Sequence, residues 1–138
     1  MPIPQWEDYL SVGHDKIDSQ HERLFVYIKK LQGSIENENT VGDLRLLLID
    51  LYRYARYHFA EEESLMRFSS YPMLNEHISS HNDFLVNIDK FIVDERLDSM
   101  SLRVDVITFL VNWIMNHIPY ADQTFFMYLQ SQEGRVSE

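Results

Sequence analysis

Four stretches of this chain place an apolar residue at every third or fourth position, and each of those stripes is interrupted by histidine or carboxylate. The interruptions are His21 in the first stretch, His58 and Glu62 in the second, His77 and His81 in the third, and His117 with Asp122 in the fourth. A stripe of that period marks a helix with one face turned to a core. A charged carboxylate buried there without a partner costs several kcal/mol. A chain folded on these stripes must therefore gather its polar groups around something that compensates them.

The first helix is predicted from Asp15 to Asn37 on Ile17, His21, Leu24, Ile28, Leu31 and Ile35. After a polar loop, Thr40 with Asp43 resembles a capping box. It opens a second helix that runs to about Arg67 on Leu44, Leu47, Leu48, Leu51, Ala55, His58, Phe59 and Glu62. A break follows in which Ser70 can cap and Pro72 fits a first turn. The third helix, Tyr71 to Glu95, shows Leu74, His77, His81, Leu85, Ile88 and Ile92. The fourth lies beyond a polar junction at Asp98 to Ser101 and runs to about Gln130, with Leu102, Val106, Phe109, Leu110, Trp113 and His117 on one face. Residues 1–15 read as an extended arm anchored by Trp6 and Leu10, and residues 131–138 as a polar tail or linker. With short connections and no strand signals, the expected fold is all-α: one domain over 1–138, its residues 16–130 an antiparallel up-down-up-down four-helix bundle.

Composition narrows the chemistry. The chain has no cysteine, which excludes disulfides and every thiolate metal site. Any metal is held by nitrogen and oxygen. A net charge of −10 over 138 residues argues against nucleic-acid and anionic-membrane partners. No run approaches a membrane span and the start lacks a signal-peptide pattern, so the expected compartment is the cytoplasm.

Histidine nitrogen with carboxylate oxygen is a ligand set that suits iron and related metals, and helices of a bundle pointing such groups inward build two-metal centres. A four-residue step turns about 40°, so His58 with Glu62, and His77 with His81, share a face. The five-residue step from His117 to Asp122 does not. It turns the two residues about 140° apart in a regular α-helix. Pro119 lies between them and removes the backbone donor toward Met115, so a π-bulge or kink is predicted there. His14 reads as a solvated loop residue. Glu61 and Glu63 read as solvated surface, either of them able to support a ligand from behind.

The motifs Gly13-His14-Asp15-Lys16-Ile17-Asp18-Ser19-Gln20-His21, His58-Phe59-Ala60-Glu61-Glu62, His77-Ile78-Ser79-Ser80-His81 and Trp113-Ile114-Met115-Asn116-His117-Ile118-Pro119-Tyr120-Ala121-Asp122, in that order, resemble the hemerythrin family in its bacterial form. The resemblance implies two iron ions joined by an oxo or hydroxo group. His77, His81 and His117 would hold one iron, His21 and His58 the other, and Glu62 and Asp122 would bridge them. Six positions are then filled on the first iron and one is left open on the second, the arrangement an exogenous ligand needs. It implies dioxygen as that ligand, with Leu24, Phe59, Trp113, Ile114 and Ile118 walling its pocket. No further acid or base stands beside the ligands, which favours reversible binding over an enzyme. The expected role is an oxygen carrier or store. The alternative is an oxygen or redox sensor domain acting on a signalling output domain or through homo-oligomerisation.

Overall fold

The computed structural model describes residues 4–136, with side chains to Glu133. Its helices are α1 (Asp15–Glu36), α2 (Val41–Phe68), α3 (Leu74–Val93), α4 (Met100–Asn116) and α5 (Gln123–Val136). A six-residue π segment, His117–Asp122, joins α4 to α5 and makes them one bent fourth limb. Short 3-10 turns cover Asp8–Leu10 and Glu95–Asp98. No strand occurs among the described residues.

The caps explain most boundaries. Thr40 Oγ accepts from the Asp43 amide at 3.2 Å, as the capping-box pattern predicts, and Ser99 Oγ accepts from Leu102 at 3.2 Å. His14, expected in solvent, is the N-cap of α1: its Nδ1 accepts from the Ile17 amide at 3.3 Å. Helix α3 begins at Leu74, three residues later than predicted. Ser70 does not cap it. Ser70 instead closes α2 at φ 55°, with its own amide bonded to the Arg67 carbonyl and the Tyr71 amide bonded to Met66. That is a Schellman ending, and buried Tyr71 packs in one cluster with Met66, as the motif favours. Helix α1 ends the same way through Glu38 at φ 52°. At the other end of the chain the predicted polar tail is helical to Val136; residues 137–138 lie outside the described residues.

Helix α1 packs on α2 and α4, and α2 on α3. Aromatic rings close the circuit between α3 and α4: Phe84 lies 4.6 Å from Trp113 and 6.0 Å from Phe109, and Phe91 lies 5.8 Å from Phe109. The bundle core consists of two apolar clusters. The larger takes Leu24, Phe25, Ile28, Leu51, Ala55, Phe59, Phe84, Ile88, Leu110 and Ile114, and the smaller takes Val12, Ile17, Met66, Tyr71, Phe125 and Phe126. Along every limb the histidines and carboxylates of the stripes fall at the passage from one cluster to the other. On α1, for example, His21 sits between Ile17 and Leu24. The fold thus holds one polar layer between two apolar ones.

Candidate metal centre

All seven predicted ligands are in that layer and buried: His21, Glu62 and His81 are fully inaccessible, and His58, His77, His117 and Asp122 nearly so. The π segment is what delivers the last two together. The Gln123 amide bonds back five residues to the Ile118 carbonyl, the spacing that brings residues five apart onto one face. Pro119, without an amide hydrogen, sits where the regular ladder would need one. The irregularity predicted from the His117-to-Asp122 step is present at the expected residues.

The donor atoms fall into two groups that share one residue. His77, His81, His117 and Asp122 can each place a ligand atom within 4.8 Å of the others; so can His21, His58, Glu62 and Asp122. Asp122 Oδ1 stands 2.8 Å from His77 Nε2 and 3.0 Å from His117 Nε2, while its Oδ2 stands 3.1 Å from His21 Nε2. Its two oxygens therefore face different histidine groups. Glu62 Oε1 lies 2.6 Å from His58 Nε2 and 3.6 Å from His21 Nε2. The Nε2 atoms of His81 and His117 are 3.2 Å apart, both turned to the centre.

A divalent cation fits this set on its own chemistry. Among the described residues, the buried side-chain nitrogen and oxygen atoms left without a hydrogen bond are Ser34 Oγ and five atoms here: both nitrogens of His21, both oxygens of Glu62 and Oδ2 of Asp122. Buried polar atoms normally have partners, and four of these orphans, His21 Nε2, both Glu62 oxygens and Asp122 Oδ2, lie together where a metal would satisfy them.

Charge at the site follows the same logic. Burial drives the His21 imidazole toward its neutral form, but its contacts with Asp122 and Glu62 outweigh that and raise its pKa to about 10. Burial and the Asp122 charge both push Glu62 up; His58 and His21 overcome them and hold it at about 2. Burial likewise works against ionised Asp122, whose carboxyl is held well below the usual range by His117, His21 and His77. His117 is raised despite its burial, chiefly by Asp122. His81 moves the other way, because burial lowers it more than Glu63 and Glu62 raise it. Protons supply the compensating positive charge when no cation does, so metal binding displaces protons.

Outer partners set the histidine tautomers. His81 Nδ1–H donates to Glu63 Oε2 at 2.8 Å and His58 Nδ1–H to Gln20 Oε1 at 2.6 Å, while His117 Nδ1 lies 3.0 Å from the Ser80 hydroxyl. The first two bonds turn an Nε2 lone pair inward, the state a metal ligand needs, and the Ser80 hydroxyl can accept from His117 Nδ1–H to do the same. Glu63 is thus a support, the second of the two roles open to it in sequence, and only 16% exposed. Glu61 pairs with Lys16 at 3.1 Å on the surface. Sequence reading missed Gln20 and Ser80. Their signal was present: Gln20 is three residues past Ile17 and four before Leu24 on the α1 stripe, and Ser80 is three past His77.

Of the predicted pocket residues, Leu24, Phe59, Ile114 and Ile118 are buried in the larger apolar cluster. Phe59 stacks on His81 with ring centroids 3.9 Å apart. Trp113 is only partly buried. It stacks on His117 at 4.2 Å and lines a surface hollow with Asp83, Asn112 and Asn116, so it backs the three-histidine group from outside.

Comparison with known proteins agrees with this geometry. A family model described as "Hemerythrin HHE cation binding domain" matches residues 12–129. The chain is 30% identical over 124 residues to a bacteriohemerythrin of Clostridium acetobutylicum, covering 87% of this chain and 96% of that protein. It is 28% identical over 130 residues to one of Campylobacter jejuni, covering 91% and 95%. A myohemerythrin of Riftia pachyptila is 30% identical over 125 residues, 88% of this chain and 91% of the relative.

Proposed function

Because the chain belongs to the hemerythrin family, we propose that it holds two irons and binds dioxygen reversibly at one of them. The observation that carries this reading is Asp122, one carboxylate whose two oxygens face two separate groups of histidines. His77, His81 and His117 would hold one iron and His21 and His58 the other, with Asp122 and Glu62 available to both: Glu62 Oε1 meets the two-histidine group, and its Oε2 is buried without a hydrogen bond.

When bound, the iron pair supplies an open coordination position and the electrons that hold dioxygen there. The chain does the rest. With three histidines on one side and two on the other, the second metal would be the less fully ligated. Leu24, Phe59, Ile114 and Ile118 line the layer with apolar surface and keep bulk water out, while Trp113 closes the wall behind Phe59 at 5.6 Å. The seven candidate ligands would be taken up by the metals and Glu63 is engaged with His81 Nδ1, which favours a bound oxygen that leaves as it came. Within the described residues no helix is long and apolar enough to cross a membrane.

Anaerobic loading with ferrous iron, followed by oxygen, tests the reading. Two irons per chain are expected, with a visible charge-transfer absorption that appears with oxygen and disappears when oxygen is removed. One iron or none overturns the two-metal assignment. Irreversible bleaching overturns reversible binding.

A further inference from the structure

His21 differs from His58, His81 and His117 in how it is held. His21 Nδ1 is buried and makes no hydrogen bond, whereas His58, His81 and His117 each use Nδ1 to bond an outer partner. What stands against His21 is an aromatic ring from the arm: Trp6 lies 6.4 Å from it, centroid to centroid, and meets Phe25 of α1 edge-on at 6.0 Å. Trp6 also lines a hollow of about 520 Å³ with Pro4, Gln5, Glu22, Phe25 and Lys29, open to solvent over the same face of α1.

The arm that carries Trp6 is fastened at both ends of the two-histidine group. Toward α1, Ser11 Oγ donates to Asp18 Oδ2 at 2.6 Å and the Val12 amide donates to Asp18 Oδ1 at 2.8 Å, three residues before His21. Toward the fourth limb, Gln123 Nε2 donates to the Tyr9 carbonyl at 2.6 Å, one residue after Asp122. Leu10 between them is fully buried in the larger cluster. A strap that ties the His21 helix to the Asp122 segment, with a ring beside the His21 imidazole, does the work that the Nδ1 hydrogen bonds do for His58, His81 and His117.

We propose that Trp6 is a positioning residue for His21 and that the arm governs exchange at the two-histidine metal position, the one with the open coordination place. This rests on the two-metal reading above. With the arm seated, the Trp6 ring stands against His21 and holds it in one orientation. With Trp6 withdrawn, His21 turns freely about its side-chain bonds, and the metal it holds, short of ligands already, is released faster. The arm bears least on the three-histidine position, where His81 and His117 have Glu63 and Ser80 behind them.

The test is metal release from the anaerobic ferrous protein into excess chelator. In Trp6→Ala one of the two irons is expected to leave at least about tenfold faster than in the parent, within the span that losing a ligand's outer support produces, and the other at the parent rate. Trp6→Phe, which keeps a ring beside His21, restores most of the parent behaviour. Gln123→Ala, which cuts the tie to Tyr9 and leaves the ring in place, shifts the same phase by less. In the metal-free proteins, histidine acylation followed by peptide mapping should show His21 more reactive in Trp6→Ala and His81 unchanged. Equal acceleration of both irons, or of neither, overturns the proposal. A parent protein that takes up one iron or none overturns the two-metal reading instead and leaves the His21 acylation result to judge the arm by itself.

Discussion

The two halves of the metal layer are built to different standards of rigidity. On the three-histidine side, His81 is tied to a carboxylate, His117 to a hydroxyl, and both carry an aromatic ring stacked flat on the imidazole, Phe59 at 3.9 Å and Trp113 at 4.2 Å. On the two-histidine side, His58 has the neutral amide of Gln20, and His21 has no hydrogen bond at all on its outer nitrogen. On the two-metal proposal, the difference maps onto what each metal would have to do. A saturated metal gains from ligands that cannot move, since nothing else must enter its shell. A metal with an open place must admit and release a ligand, and its surroundings tolerate more freedom. Asp122 joins the halves, and through it a disturbance on one side reaches the other.

The largest effect should come from removing that joint. Asp122→Ala takes an oxygen from each metal, so both positions are expected to weaken by more than about 100-fold, beyond the span seen when only an outer partner is lost. Metal content after dialysis reads this directly. Loss confined to one of the two ions would mean that Asp122 belongs to a single half.

Removing the metal should expose the charge balance of the looser half. In the metal-free protein His21 titrates near 10, above its ordinary value. A raised histidine stabilises the fold fully below about pH 6.5 and loses that contribution as pH rises toward 10. Glu62, held at about 2, acts in the opposite sense: its contribution is present above the ordinary carboxylate range and is lost as pH falls toward 2. Thermal melts of the metal-free protein should therefore fall between pH 6.5 and 10 by roughly 5 °C or more. The metal-loaded protein should stay flat across that window, because the cation replaces the proton. A metal-free melt that is also flat would show that His21 carries no extra proton.

The outer partners themselves sharpen the contrast at a smaller scale. Glu63→Gln keeps a hydrogen-bond acceptor for His81 but removes the charge, and Gln20→Leu removes the acceptor for His58 altogether. Each should reduce metal affinity by about 10-fold, in the three-histidine position for the first and in the two-histidine position for the second. Competition with a chelator resolves the two positions. The same position responding to both substitutions would contradict the pairing of Glu63 with one half and Gln20 with the other.

The buried polar layer was legible in sequence because the seven candidate ligands obey the rule that shapes the core: they occupy stripe positions, so helical periodicity finds them along with the leucines. The break at Pro119 was legible for a related reason, since a five-residue step between two inward groups contradicts a regular helix. What escaped depended on geometry that no local pattern encodes. Ser70 looked like an N-cap because serine often is one. Its left-handed backbone, normally glycine's place, arises from the burial of Tyr71 against Met66, a contact visible only in three dimensions. His14 capping α1 is a rare use of imidazole for a task usually given to serine or aspartate. The helix through Gln130 to Val136 lacks an apolar stripe strong enough to announce itself, although Gln130 reaches back toward Gly13.

That last approach gives the smallest and most selective way to disturb the looser half. Gly13 takes φ +77°, and a Cβ there would meet Gln130 Nε2 at 2.8 Å. Gly13→Ala places a side chain in left-handed backbone, at a cost of about 1–2 kcal/mol, and asks the flexible Gln130 amide to step aside. Gly13 sits at the hinge between the arm and α1, two residues past Ser11 and one before the His14 cap, so its strain bears on the strap and not on the bundle. The protein should melt a few degrees lower while keeping both metals. The release phase of the two-histidine position should quicken modestly, in the same direction as Trp6→Ala and by less. Lower stability with both release phases unchanged would separate the arm's backbone from its ring. Trp6 would then act on His21 by contact alone.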